Sequence, residues 1–207
     1  MTTSKRPKRR VHNADKTKSD IKKAAVRLLR TRGITKLSSR QLVAELDVST
    51  GALFHHFPSK NHLIAAALEE IFEELSLKMD CLSQLIRQGQ CSEIEFVAEL
   101  TDIIIDAVFF GAMEVALIVR SEPELAALVA PSVEKWRNTL DTFWAVTFEI
   151  PGLPSGEIKT HWAMAVNMLR GQALASSFGS EPIERTDFCN CFRKLMLKDA
   201  TVRPLPK

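Results

Sequence analysis

The sequence predicts an all-α chain: an N-terminal three-helix helix-turn-helix domain joined to a larger helical domain. Three observations carry that prediction. Apolar residues recur at steps of three and four along most of the 207 residues. Glycine and proline are sparse, 8 and 9 in all. No run alternates apolar and polar residues with period two, and there is no internal repeat.

Residues 1–18 are polar and basic without periodicity and are expected to form a mobile arm. From Ser19, Ile21, Ala24, Ala25, Leu28 and Leu29 mark the buried face of a first helix, closed by Gly33 at the position where a left-handed backbone is cheap. Ser38-Ser39-Arg40-Gln41 is a Ser-x-x-Gln capping box and opens a helix through Leu42, Val43 and Leu46. Ser49 or Thr50 starts a short helix ending at Phe57-Pro58, so residues 38–57 form two short helices joined by a tight turn. Ser59 then caps a long helix with the stripe Ile64, Leu68, Ile71, Phe72, Leu75, Leu82 and Ile86. Further helices are expected from Ser92 to about Phe110, from Gly111 to Arg120, and from Pro123 to Phe148 with a possible break at Pro131. The last two run from Ser155 to Phe178 and from Thr186 to Asp199. The expected domains are therefore the arm 1–18, a helix-turn-helix domain 19–64 and a helical body 65–207.

The net charge of +3 hides a division. Residues 1–60 hold 15 Lys+Arg against 4 Asp+Glu, a net +11, whereas the remainder carries −8. A basic segment on an acidic body points to a polyanionic partner. A membrane partner fits poorly: the most apolar stretch, Leu100 to Val119, is interrupted by Asp102, Asp106 and Glu114, and no apolar core follows the basic N-terminus. A cytoplasmic protein is expected. Cys81, Cys91, Cys189 and Cys191 form no Cys-x-x-Cys pair and have no histidine at zinc-ligand spacing, so they are read as reduced thiols, with a redox response as the alternative. No Gly-x-Ser-x-Gly, His-Glu-x-x-His or phosphate-cradling loop occurs, and no catalytic residue, metal or cofactor is expected.

Function concentrates in Thr50-Gly-Ala-Leu-Phe-His-His-Phe-Pro-Ser-Lys60. Leu53 and Phe57, four apart, anchor the short helix, and the opposite face presents Thr50, Ala52, His55 and His56, with Lys60 beyond. Small and hydrogen-bonding residues on such a face suit entry into the DNA major groove. Arg40 has the fork that reads a guanine edge, and Ser39 and Lys60 suit phosphate oxygens. Adjacent His55 and His56 do not point the same way on a helix, which argues against a metal pair.

Residues 19–68, through Leu28-Leu29-x-x-x-Gly33, Leu37-Ser-Ser-Arg-Gln-Leu-Val-Ala-Glu-Leu46, Val48-Ser-Thr-Gly51, Leu53-Phe-His-His-Phe-Pro-Ser-Lys60 and Leu63, resemble the DNA-binding domain of the TetR family of one-component transcriptional regulators. The resemblance implies base contacts from Arg40, Thr50, Ala52 and His55 and phosphate contacts from Ser39, His56 and Lys60 on double-stranded DNA. Arg6, Arg9 and Arg10 of the arm are expected to follow phosphates or the adjacent minor groove. Position 54 departs from the family pattern. Phe54 keeps the ring of the usual tyrosine but loses its hydroxyl and one phosphate hydrogen bond.

In the body, the resemblance implies a small-molecule pocket, for which Phe109, Phe110, Met113, Trp136, Phe143 and Trp162 are the expected lining. It also implies a homodimer. Met164, Met168, Gly171 and Ala175 make a stripe whose small residues let another helix approach, opposite a core-facing stripe of Trp162, Val166, Leu169 and Ala173. Phe188, Phe192 and Leu195 supply a second apolar stripe for the same interface. The implied function is a repressor released from a palindromic operator by a small effector. The alternative is a redox-responsive or activating regulator of the same fold without such an inducer.

Overall fold

The computed structural model describes residues 8–34, 37–46, 48–107, 113–176 and 183–205. In chain order the helices are α1 (Lys8–Arg32), α2 (Ser39–Leu46), α3 (Thr50–His56), α4 (Lys60–Arg87), α5 (Glu93–Ala107), α6 (Met113–Ile118), α7 (Pro123–Thr147), α8 (Ser155–Ser176) and α9 (Arg185–Met196). Two-residue strands, β1 (Phe148–Glu149) and β2 (Thr201–Val202), pair antiparallel with Phe148 opposite Val202.

The all-α expectation holds, and capping signals explain the starts of α2, α3, α4 and α5. The Ser38 hydroxyl accepts from the Gln41 backbone N–H at 3.3 Å and itself donates to the Gln41 side-chain oxygen at 3.0 Å. Ser49 accepts from Ala52 N–H, and Ser59 from His62 N–H. Ser92 opens α5 with a reciprocal box, in which the Glu95 carboxylate accepts from both the Ser92 N–H and its hydroxyl. Those bonds hold the Glu95 carboxyl below its ordinary value. Gly33 closes α1 at φ 76° with its N–H on Leu29 O.

Three expectations need correction. α1 begins at Lys8, so residues 8–18 extend the first helix instead of joining a mobile arm. The segment Lys8–Lys18 contains no glycine or proline, and once the apolar face of residues 21–29 nucleates the helix each added turn needs no core of its own. α7 passes through Pro131 without a break, because Leu125 and Val129 before it and Trp136 after it are buried and hold both halves. The strand pair is new. Its two residues are too short to show a period, and it exists because Arg203 donates to the carbonyls of Thr147 and Phe148 while Arg87 donates to those of Arg203 and Pro204.

α4 organises the packing. It buries Leu63, Ile64, Ala67, Leu68, Leu75, Met79, Leu82 and Ile86 and packs on α1, α5 and α7. The helix therefore runs without interruption through position 64, the expected domain boundary. Lys22 bonds Glu70 at 2.8 Å and Arg30 bonds Glu74 at 2.7 Å, tying α1 along its length. Partial burial disfavours the Lys22 charge, but Glu70 and the neighbouring Glu69 and Glu73 outweigh it and hold the amine above its usual value. Deeper in the body, Phe96, Phe143, Trp144, Phe148 and Trp162 form one aromatic cluster, with Trp144 and Trp162 stacked at 4.4 Å. Ser83 on α4 and Thr147 on α7 share a buried hydroxyl bond at 2.7 Å; Thr147 donates onward to Phe143 O, so Ser83 is the donor to Thr147.

Because Gly33 sits where any Cβ is strained, Gly33→Ala is expected to lower stability by about 1 kcal/mol, read from the urea midpoint.

Candidate nucleic-acid interface

The reading head is built on three buried anchors. Leu42 in α2 and Leu53 in α3 are fully buried, and Phe57 continues their layer at the end of α3. The Phe57 N–H closes α3 on Leu53 O at 2.9 Å, and two residues later Ser59 caps α4. A seven-residue helix has little stability of its own. Here both ends are capped and one side is fixed, so its outer face is held in place.

That outer face carries Thr50, Gly51, Phe54 and His55, all exposed. Arg40 at the start of α2 and Lys60 at the start of α4 are exposed too, while Ser39, Ala52 and His56 are half-buried. Arg40, Thr50, His55 and Lys60 are thus accessible to a partner. His55 and His56 meet edge to face with centroids 5.3 Å apart. Among the described residues, no group of three or more His, Cys, Asp or Glu is gathered as a metal site.

Phe54 differs from its expectation. Its ring is 42% exposed, so it adds little to the core and lies on the same outer side as His55. The resemblance implied that the ring keeps its packing, but Leu53 and Phe57 are the buried residues of this turn. Arg6 lies outside the described residues; Arg9 and Arg10 fall in α1, with their side chains outside the described set. Farther along α1, Lys16, Lys23 and Arg27 line a shallow surface depression with Leu46 and Val48 of the α2–α3 turn. Sequence reasoning did not single these cations out, although their helical spacing was the available signal.

Of the expected pocket residues, Trp136, Phe143 and Trp162 have described side chains. Phe109 and Phe110 lie outside the described residues, as does the side chain of Met113. Trp136 is buried and stacked on Phe72 at 5.2 Å, on the α4 side. Phe143 lines a groove between α4 and α7, and Trp162 lines a different groove between α7 and α8. Packing within the protomer explains why these large rings served as core.

The expected dimer face is divided in the same way. Met164 is 59% exposed, Gly171 is exposed, and Met168 and Ala175 are half-buried, while Trp162, Val166, Leu169 and Ala173 face the core as expected. Phe188 and Phe192 are a correction. Both are buried in the protomer, where α9 packs on α5 and α8, leaving Leu195 at 61% exposure as the outward member of that stripe. The thiols Cys91 and Cys189 are pushed above the ordinary value, in each case chiefly by burial, which disfavours the reactive thiolate.

Residues 21–67 match the family described as bacterial regulatory proteins, tetR family. The HTH-type transcriptional regulator CymR of Pseudomonas putida is 23% identical over 172 residues, covering 82% of this chain and 85% of that protein. A TetR-family transcriptional regulator from Mesorhizobium loti superposes with a TM-score of 0.70 at 11% identity, over 91% of this chain and 98% of the other. The multidrug binding protein EbrR, complexed with imidazole, superposes with a TM-score of 0.60 at 19% identity, over 92% and 96%.

Restoring the absent hydroxyl with Phe54→Tyr is expected to tighten DNA binding by about 1 kcal/mol, roughly fivefold, in a fluorescence-anisotropy titration with duplex.

Proposed function

We propose that this chain, whose residues 21–67 match the tetR family of bacterial regulatory proteins, is a homodimeric DNA-binding repressor released from a near-palindromic operator by a small molecule. The observation that carries the reading is the α2–α3 head, with Arg40, Thr50, His55 and Lys60 exposed around a short helix fixed by Leu53 and Phe57. In this reading Arg40, Thr50 and His55 meet base edges, with Ala52 at the margin of that face. Ser39, His56 and Lys60 position the head on phosphates, as do Arg6, Arg9 and Arg10 farther toward the N-terminus. The site of action is the cytoplasm; among the described residues no helix is long and apolar enough to cross a membrane.

Dimerisation through Met164, Met168, Gly171, Ala175 and Leu195 places two heads on two half-sites. A Cβ added at Gly171 meets nothing within 4 Å in the protomer, so a larger side chain there tests the interface without a clash inside one chain.

Release works through α4. Its first turn follows Phe57 by three residues, and Asn61 bonds Glu124 of α7 at 3.0 Å while Glu73 pairs with Lys135 of the same helix at 3.1 Å. A ligand that binds one arrangement of α4 and α7 more tightly than another shifts the separation of the heads by that difference in affinity. The bound imidazole of EbrR supports a small-molecule reading by analogy of fold.

Across a salt series with duplex from upstream of its own gene, Lys60→Ala is expected to weaken all sequences alike and to lower the salt slope by about 1. Arg40→Ala is expected to relax preference at one base pair, by about 1–3 kcal/mol. Indifference of both substitutions would contradict the reading. Gly171→Leu, harmless to the protomer, is expected to convert dimer to monomer in sedimentation velocity; an unchanged dimer would place the interface elsewhere.

A further inference from the structure

A groove of about 450 Å³ separates α7 from α8 on the flank away from the free Met164–Ala175 stripe. Its walls differ in character. Leu140, Trp144, Trp162 and Val166 make an apolar side, and Arg137 of α7 and Arg170 of α8 face the same space from opposite helices.

These two guanidiniums are unlike the other paired arginines of the chain. Arg27, Arg30, Arg185 and Arg203 each hold a carboxylate. Arg170 bonds only the neutral side-chain oxygen of Asn167, at 3.4 Å, and Arg137 has no hydrogen bond or ion pair among the described residues. Of the other charged groups on the groove, Lys159 is neutralised by Asp141 at 3.1 Å, and Glu134 pairs with neither arginine. Burial, and then the field of Arg137, push the Arg170 guanidinium below its ordinary value. Trp144, which also lines the groove, is 1% exposed, and its indole Nε1–H has no protein acceptor, an uncommon state for a buried donor.

We propose that the α7–α8 groove is a binding site for a small organic oxyanion, its anionic group held between Arg137 and Arg170 and its short apolar body laid against Leu140 and Val166. Paired guanidiniums supply the planar donor fork that carboxylate and phosphate oxygens match. Val166 and Met168 lie two residues apart, about 200° around the helix, so the site and the dimer stripe use different sides of α8. The site goes beyond the effector-release reading and does not depend on it.

The test is isothermal titration of the full-length protein, without DNA and at fixed ionic strength, with sodium hexanoate, acetate and inorganic phosphate. Hexanoate is expected to bind saturably at one per chain and more tightly than acetate. Arg137→Gln and Arg170→Gln are each expected to weaken it at least about tenfold, while Arg→Lys at either position retains part of the affinity. Thermal midpoints of the variants separate lost binding from lost folding. Phosphate binding more tightly than hexanoate, with the same dependence on both arginines, assigns the natural group as a phosphate ester. No saturable heat for any of the three up to about 20 mM, or affinity unchanged in both Gln variants, would overturn the proposal.

Discussion

The rest of the molecule depends on one helix that spans a single continuous core. α4 is 28 residues, roughly 42 Å long, and packs on α1, α5 and α7. A flexible linker between a reading head and a body would let either move without informing the other. A continuous helix packed at both ends transmits rotation and translation with little loss, since close-packed interiors shift as units instead of deforming. The ion pairs Lys22–Glu70 and Arg30–Glu74 fix the head end, and the buried Ser83–Thr147 bond fixes the body end. The exposed pairs matter more for register than for energy, given how little surface ion pairs contribute.

Local chemistry sets where the head stops and starts. Ser38, Ser49 and Ser59 each satisfy an otherwise orphaned N–H, Gly33 reverses the chain out of α1, and Leu53 and Phe57 pin α3 from below. These features are local in sequence, which is why the helix-turn-helix was legible before any fold was known. The arm was not legible: periodicity detects an apolar face, and residues 8–18 continue a helix without having one. The strand pair was equally hidden, because it rests on Arg87 and Arg203, more than a hundred residues apart.

The candidate site was legible where identity and exposure coincide, as at Arg40, Thr50, His55 and Lys60. It was less so where large residues have two uses. A tryptophan or phenylalanine reads alike as pocket wall or as core, and Trp136, Phe143, Trp162, Phe188 and Phe192 are buried within the protomer. Phe54 shows the reverse error, an aromatic expected to keep its packing that lies outside, while Leu53 and Phe57 are the buried residues of its turn. Arg137 and Arg170 carry no signal in sequence at all: their meaning comes from facing one groove while neither pairs with a carboxylate there, a property of α7 packed beside α8.

The central claim is that the head reads DNA as one of a pair held at fixed separation by α4 and α8. Hydroxyl-radical footprinting of the protein on DNA upstream of its gene measures this most directly. The account predicts two protected half-sites related by twofold symmetry, their centres separated by about one helical turn or a multiple of it. A single unpaired patch, or uniform protection that fades steeply with salt and shows no symmetric centre, would contradict it.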